Sequence, residues 1–391
     1  MDIPTFDQVF RLMNINCWIL GIDGVNVHYR FYLIGALICF PMLFEELAFI
    51  VTKASTANFV TLLGLIPCIT YCIISVMKIL AVVLNRVKIV QLMKSVEQLY
   101  LNISKDAKKK KIVRREIIFV KMLTKCLFVL NMTLVCVYNF SSLIIIPYYY
   151  ITTNTVIYHL PYPIVVPFST DAWIPWFVIY IHSITCGFIC VIYSTTVDAL
   201  YFILVTHVCI NFMVLHDDLL NLKYKNFTDL TDCIQSHQYI IQLSEDLDVI
   251  FRLPNFINVL FGSIQICALG FCITVGDWSD MPGYFLFLST VLSQLWMTSM
   301  FGENILSASS KISEAVWNCY WNCTDVKTQK TILLVLMRSQ KPQKLTAYLF
   351  SAICFSSFTK PFLFKIIFTI YMFFIIISAT GSPLLNIGLP Q

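Results

Sequence analysis

Charged side chains stand inside or beside otherwise apolar stretches of this 391-residue chain: Glu45, Glu46, Lys78, Asp198, Glu303, Lys360 and Lys365. A charge in such surroundings is costly unless it reaches water or a partner, so each marks a place where ions or ligands could be handled. Enzymatic chemistry finds no support in the spacing of other residues. The strings G-x-x-x-x-G-K-S/T, G-x-G-x-x-G, G-x-S-x-G and H-E-x-x-H are all absent, and with them the phosphate cradle, the nucleophile elbow and the zinc-binding helix. Cys319 and Cys323 in "CYWNC" have no neighbouring His, which argues against a metal centre. His216 with Asp217 and Asp218 reads as a solvated helix face.

The elements that position these residues follow from composition. Apolar residues make up 58% and charged residues 13% of the chain, about half the charge of an ordinary soluble domain. Charges cluster between apolar runs long enough to cross a hydrocarbon core, near 31–51, 61–84, 126–149, 175–197, 255–275, 284–304 and 361–379. These runs lack the dyad alternation of a barrel, and backbone in lipid must satisfy its own hydrogen bonds, so helices are predicted. The fold class is an all-α membrane protein with seven transmembrane helices.

Lys and Arg give the spans an orientation. Twelve lie between spans two and three, two before span one, three between spans four and five and six after span six, whereas the alternate loops hold only Lys53. The amino terminus and even-numbered loops are therefore predicted to be cytosolic and the carboxyl terminus extracellular. On this reading 1–30 is a cytosolic segment, 31–304 holds six spans, 305–360 forms cytosolic anchor helices, and 361–391 is the last span with a short external tail. "KKKKIVRR" at 108–115 serves as a topology signal, with contact to anionic membrane lipid as the lesser alternative. A helix continuous over 175–222 is expected to project into the cytosol, and 224–253 and 305–346 are helical in pattern. Together they suggest a water-exposed layer, either an assembly surface or simple loop structure.

None of the cysteines falls in the predicted external loops, so they read as buried apolar fillers. The N-x-S/T triplets at Asn102, Asn131, Asn139, Asn226 and Asn322 fall in spans or cytosolic loops and are predicted to carry no glycan. No cleaved signal peptide is apparent. Glu45 and Glu46, near the outer end of span one, make the external face acidic with Asp171, Asp277 and Asp280, and read mainly as interfacial snorkels. Aromatics crowd the outer halves, including Tyr71, Tyr138, Tyr162, Trp173, Trp176, Tyr180 and Tyr284. Most form an interfacial belt. The remainder could line a cavity for a small apolar ligand, with Tyr hydroxyls and Asn139, Ser142, His182 or Gln294 as its few polar contacts. Burial of about 200 Å² at ~25 cal/mol/Å² gives roughly 5 kcal/mol, and thus millimolar to micromolar binding.

The carboxyl-terminal third carries a more specific signal. "GENILSASSKISEAVWNCYWN", with Gly302, Ser309, Ala315 and Trp321, and "RSQKPQKLTA", with Arg338, Gln340, Pro342 and Ala347, resemble the signature of insect odorant receptors. "HLPYPIVVPF" resembles the family's external stretch before span four, and Asp198, His207 and Leu219 fall on the pattern after it. Two departures stand out: Trp317 replaces the usual Tyr, and the last span carries "IIFTIYMFF" where a Ser-Tyr-rich string is common.

The resemblance implies an odorant-gated cation channel in the plasma membrane of olfactory sensory neurons. It implies a hetero-tetramer with the odorant co-receptor, this chain being the tuning subunit because its loop after span four is short. It further implies ligand contacts at Tyr71, Asn139, Ser142, Tyr180, Phe287 and Gln294, a gate at Phe368, Thr369 and Met372, and a subunit anchor around Trp321, Gln340 and Pro342. The expected partners are a small volatile ligand, the co-receptor and membrane lipid; no cofactor, metal or nucleic acid is expected. A gustatory-type receptor channel is the nearer alternative, although its Thr-Tyr and Gln-Phe ending is missing. A G-protein-coupled receptor is opposed by the charge bias and by the absence of Asp-Arg-Tyr and Asn-Pro-x-x-Tyr strings. A transporter is opposed by the absence of an internal repeat.

Overall fold

The computed structural model describes residues from 22 to 354, apart from 24–25, 28, 54–58, 104–105, 157, 171, 222–226, 276–277, 279, 320 and 349–351. The expected last span at 361–379, with Lys360, Lys365 and the gate residues Phe368, Thr369 and Met372, lies outside the described residues.

A two-stranded hairpin, β1 (Ile22–Asp23) with β2 (Asn26–Val27), precedes the helices. Then come α1 (Tyr29–Lys53), α2 (Phe59–Leu84), α3 (Arg86–Ile103), α4 (Ala107–Thr153), α5 (Trp173–Leu220), α6 (Phe227–Val275), α7 (Met281–Asn318) and α8 (Val326–Ser339), the last preceded by a 3-10 turn at Trp321–Cys323. Among the described residues, six helices, α1, α2 and α4 to α7, are long and apolar enough to cross a membrane. Each contains one of the first six predicted spans.

The helices extend well beyond the spans. α4 runs for 47 residues from an Asp106 cap whose carboxylate accepts the Lys108 N–H, and ends where Asn154 turns left-handed at φ 55°. At 1.5 Å per residue it is about 70 Å long. α5 is of similar length, 48 residues, as its unbroken pattern predicted. α6 joins the polar stretch after 224 to the fifth span in one helix of 49 residues that passes through Pro254. A proline inside a membrane helix is tolerated because neighbouring helices re-satisfy the freed carbonyl.

Through its middle α5 is buried on every side, from Tyr193 to Phe212, and it touches α1, α2, α3, α4, α6 and α7. A helix that is apolar all round belongs at the centre of a bundle. The larger core lies at the end that carries α3 and α8. There α3 buries Ile89, Leu92, Val96, Tyr100 and Ile103, spaced along one helical face, against the lower half of α5. A smaller core at the opposite end brings together parts of α1, α2, α4, α5, α6 and α7.

Beyond α7 the chain straps back onto the bundle. Asp325 caps α8 by accepting from the backbone of Lys327 and Thr328, and the Thr328 hydroxyl holds that carboxyl below its ordinary range. The Gln343 N–H then donates to Ser309 Oγ at 2.9 Å, and the Thr346 N–H donates to the Asp248 carboxylate at 2.6 Å. Ile353 N–H closes the strap on Leu345 O at 2.8 Å. The segment from 305 to 346 is thus part helix, part docked strap. The outer face of α8 and the end of α7 leave Trp317, Val326, Leu333, Leu334 and Met337 more than half exposed.

Candidate ligand-binding site

At the end of the bundle that carries the loop between α4 and α5, a cavity opens among five helices. α1 contributes Met42 and Glu46; α2 contributes Cys68, Tyr71 and Cys72; α4 contributes Leu134, Val135 and Tyr138. α5 adds Ser183, Cys186, Gly187 and Cys190, α7 adds Phe287, and Tyr162 reaches in from the loop. Its empty volume, counting the space at its open side, is about 490 Å³.

Aromatic rings shape the walls. Phe287 meets Tyr71 edge-on at 6.0 Å and Tyr138 at 5.9 Å, and Tyr138 stacks on Tyr162 at 6.4 Å. Hydroxyls tie these rings to the frame: Tyr71 donates to Asn131 Oδ1 and Tyr162 to Asn139 Oδ1, both at 3.0 Å. The second bond anchors the loop on α4, so Tyr162 closes the cavity. Gly187 packs closely here: a Cβ would lie 3.0 Å from Asn139 Nδ2 and 3.2 Å from the Tyr162 hydroxyl, so a side chain would push on the bond that closes the cavity. Elsewhere in the loop, the His159 carbonyl accepts from the Trp176 N–H of α5 at 3.1 Å, and burial lowers the His159 imidazole pKa against the pull of Asp280.

The cavity is largely apolar, with two chemical exceptions. Sγ atoms of Cys39, Cys72, Cys186 and Cys190 lie within 4.8 Å of one another, all buried, with Cys39 and Cys190 at 3.9 Å. As thiols they fill the space between α1, α2 and α5 as polarisable apolar groups, as their burial predicted. Their common site was not visible in the sequence, since only Cys186 and Cys190 are a helical turn apart. The other exception is Glu46, which corrects its reading as an interfacial snorkel. It is 2% exposed, faces the cavity, and its Oε2 has no hydrogen-bond partner among the described residues. A signal for this did exist: Cys39, Met42 and Glu46 share one face of α1, while Leu37, Phe40 and Phe44 cover the opposite, exposed face.

Of the residues singled out in the sequence, Tyr71 and Phe287 line the cavity. Asn139 lies just behind the wall, accepting from Tyr162 on its side chain and from the Tyr180 hydroxyl on its carbonyl at 3.0 Å. Tyr180 stacks on Trp176 at 4.9 Å, and Ser142 is fully buried with its hydroxyl unpartnered among the described residues. Gln294 sits deeper, donating to Asp198 at 2.6 Å. That carboxylate also accepts from Lys78 at 2.8 and 2.9 Å, and Lys78 donates further to Ser194 at 3.1 Å. The two isolated charges in the apolar stretches thus neutralise one another. Spacing did not reveal the meeting of the four cysteines. Trp321 packs partly buried against the larger core, 5.9 Å from Trp317, while Gln340 caps the end of α8 on the surface.

The whole chain can be set beside known proteins. A family model described as 7tm Odorant receptor matches residues 58–364. Odorant receptor 92a of Drosophila melanogaster is 26% identical over 97% of this chain and 96% of its own length. Odorant receptor 85b of the same organism is 34% identical over 33% of this chain and 34% of its own. Among solved structures, the insect olfactory receptor OR5 from Machilis hrabei in complex with eugenol superposes with a TM-score of 0.77, 14% identity and coverage of 96% of this chain and 97% of that one. A second structure of the same receptor gives 0.73.

Proposed function

The chain belongs to the insect odorant receptor family, and from that premise we propose that it is an odorant-binding subunit of a ligand-gated cation channel, sited in the plasma membrane of an olfactory sensory neuron. The aromatic cavity carries the reading. A largely apolar, loop-closed chamber among helices, with few polar groups, is what a small volatile molecule requires, and the similar receptor from Machilis hrabei has been solved in complex with one such molecule, eugenol.

α7 supports a coupling route. It carries Phe287 at the cavity and, further along, Gly302 against the backbone of Ile353, a few residues before the stretch that resembles the family's pore helix. A ligand that shifts α7 would move the strap from which that last span hangs. Gating would then fall to Phe368, Thr369 and Met372. Trp317, Val326, Leu333, Leu334 and Met337 are all more than half exposed, and clustered exposed apolar side chains of this kind mark interaction surfaces. This favours assembly through this layer, with Trp321, Gln340 and Pro342 beside it, and the co-receptor as the partner.

Co-expression with an odorant co-receptor, followed by recording with G proteins blocked, tests the channel. Odorant-evoked current should persist under the block, and its complete loss would overturn the reading. The site is tested by Phe287→Ala. Removing the ring that bridges Tyr71 and Tyr138 should raise the half-maximal concentration of a small activating odorant by about tenfold, equivalent to ~1.4 kcal/mol of lost contact. An unchanged dose-response at equal surface expression would place the ligand elsewhere.

A further inference from the structure

We propose that the preferred ligand of this cavity is a small volatile amine, held as an ammonium against the Glu46 carboxylate. The inference rests on the ligand-gated reading above and names its ligand class. Glu46 is nearly inaccessible to solvent and lines the cavity, and its Oε2 has no partner among the described residues. A buried acceptor left unsatisfied is a standing cost, and a buried carboxyl that faces a cavity with one oxygen unpartnered among the described residues points to a partner that arrives from outside.

Among the described residues, the protein's own cations do not supply that partner. Lys78, buried in the same bundle, already donates to both oxygens of Asp198 and to Ser194. His182 is turned to the carbonyl of Ile38 at 3.0 Å. Glu45, adjacent in sequence, adds a second acidic group whose Oε2 is likewise unpartnered among the described residues, and it makes the region more attractive to a cation.

The remaining walls suit the same ligand. Tyr71, Tyr138, Tyr162 and Phe287 surround the cavity, and aromatic rings attract a desolvated ammonium through their quadrupoles. A carboxylate at one side with rings around it stabilises a positive charge twice over. An alcohol of the same shape gains one hydrogen bond to Glu46, and a hydrocarbon gains burial alone. The proton need not come with the ligand: a neutral amine that meets a protonated Glu46 takes its proton, and the bound ion pair is the same.

The test uses the full receptor co-expressed with its co-receptor, and matched sets of amine, alcohol and hydrocarbon: cyclohexylamine, cyclohexanol and methylcyclohexane, and phenethylamine, 2-phenylethanol and ethylbenzene. In the native receptor the amine of at least one set should be about tenfold more potent than its alcohol, the factor that ~1.4 kcal/mol represents. Glu46→Gln, which preserves shape and removes the charge, should bring the two within about threefold. Alcohols that match or exceed the amines in the native receptor overturn the proposal without any variant, and so does an amine preference that survives Glu46→Gln at normal surface expression. Both results leave the channel reading standing. Silence of the native receptor to every one of these and to a broad odorant panel overturns the channel reading itself, and this inference with it.

Discussion

Replacing Asp198 with Leu is expected to destabilise the bundle by about 3–5 kcal/mol, because it leaves the Lys78 ammonium buried without its counter-charge. The geometry makes the effect large. Lys78 is fully buried and directs its protons to both Asp198 oxygens and Ser194, while Gln294 donates to the same carboxylate. These four residues come from α2, α5 and α7, so the network joins three helices at the level where the cavity core meets the larger core. The paired substitution Lys78→Met with Asp198→Leu removes both charges and should recover most of the loss, since a well-packed apolar pair replaces a buried ion pair at little cost. Thermal unfolding of the purified receptor in detergent, with surface expression alongside, separates the cases. A single Asp198→Leu variant that melts with the native protein would show that Lys78 finds another partner.

Gly302→Ala should be the second most damaging change, at about 1–3 kcal/mol, and Gly302→Val worse. Any Cβ on Gly302 would run into the backbone carbonyl of Ile353. That carbonyl cannot swing aside freely, because the Ile353 N–H is bonded to Leu345 O and Thr346 is bonded to Asp248. The strap must therefore lift from α7 as a unit. Loss of odorant-evoked current and a lower melting temperature of the purified receptor in detergent are the expected outcome. Gly270→Ala is the control: a Cβ there meets nothing within 4 Å, and alanine favours the helix by roughly 0.5–1 kcal/mol. Equal behaviour of the two alanine variants would mean that the strap is not closely docked.

Much of the architecture could be read before any coordinates. Six of the seven spans fall within helices at nearly their predicted places, and the long α5 was anticipated within two residues at each end. The larger surprise was continuity. α4 begins at Ala107, well before the predicted span, and α6 carries a polar half and a membrane half in one rod. Hydropathy marks where lipid begins and ends, and a helix that keeps its hydrogen bonds has no reason to stop at that boundary.

The site was legible only in part. Tyr71 and Phe287, which line the cavity, were selected through the likeness to the receptor family, which implies ligand contacts in the outer half of the spans. Gln294 could not be told from a ligand contact, since its partner Asp198 is 96 residues away. Glu46 looked like a surface acid because it stands near the end of a span, and only the packing of α1 against α2 and α5 turned it inward.

Helix content and the placement of apolar spans are properties of local composition, each decided by the transfer of a short stretch between water and lipid. The sequence alone determined these, together with its likeness to a receptor family. Contacts such as Lys78 with Asp198, Cys39 with Cys190 and Gly302 with Ile353 depend on which faces of distant helices meet. Those faces are chosen by the joint packing of all the helices at once. The charge balance of the bundle, the walls of the cavity and the acid within it were therefore decided by the tertiary structure.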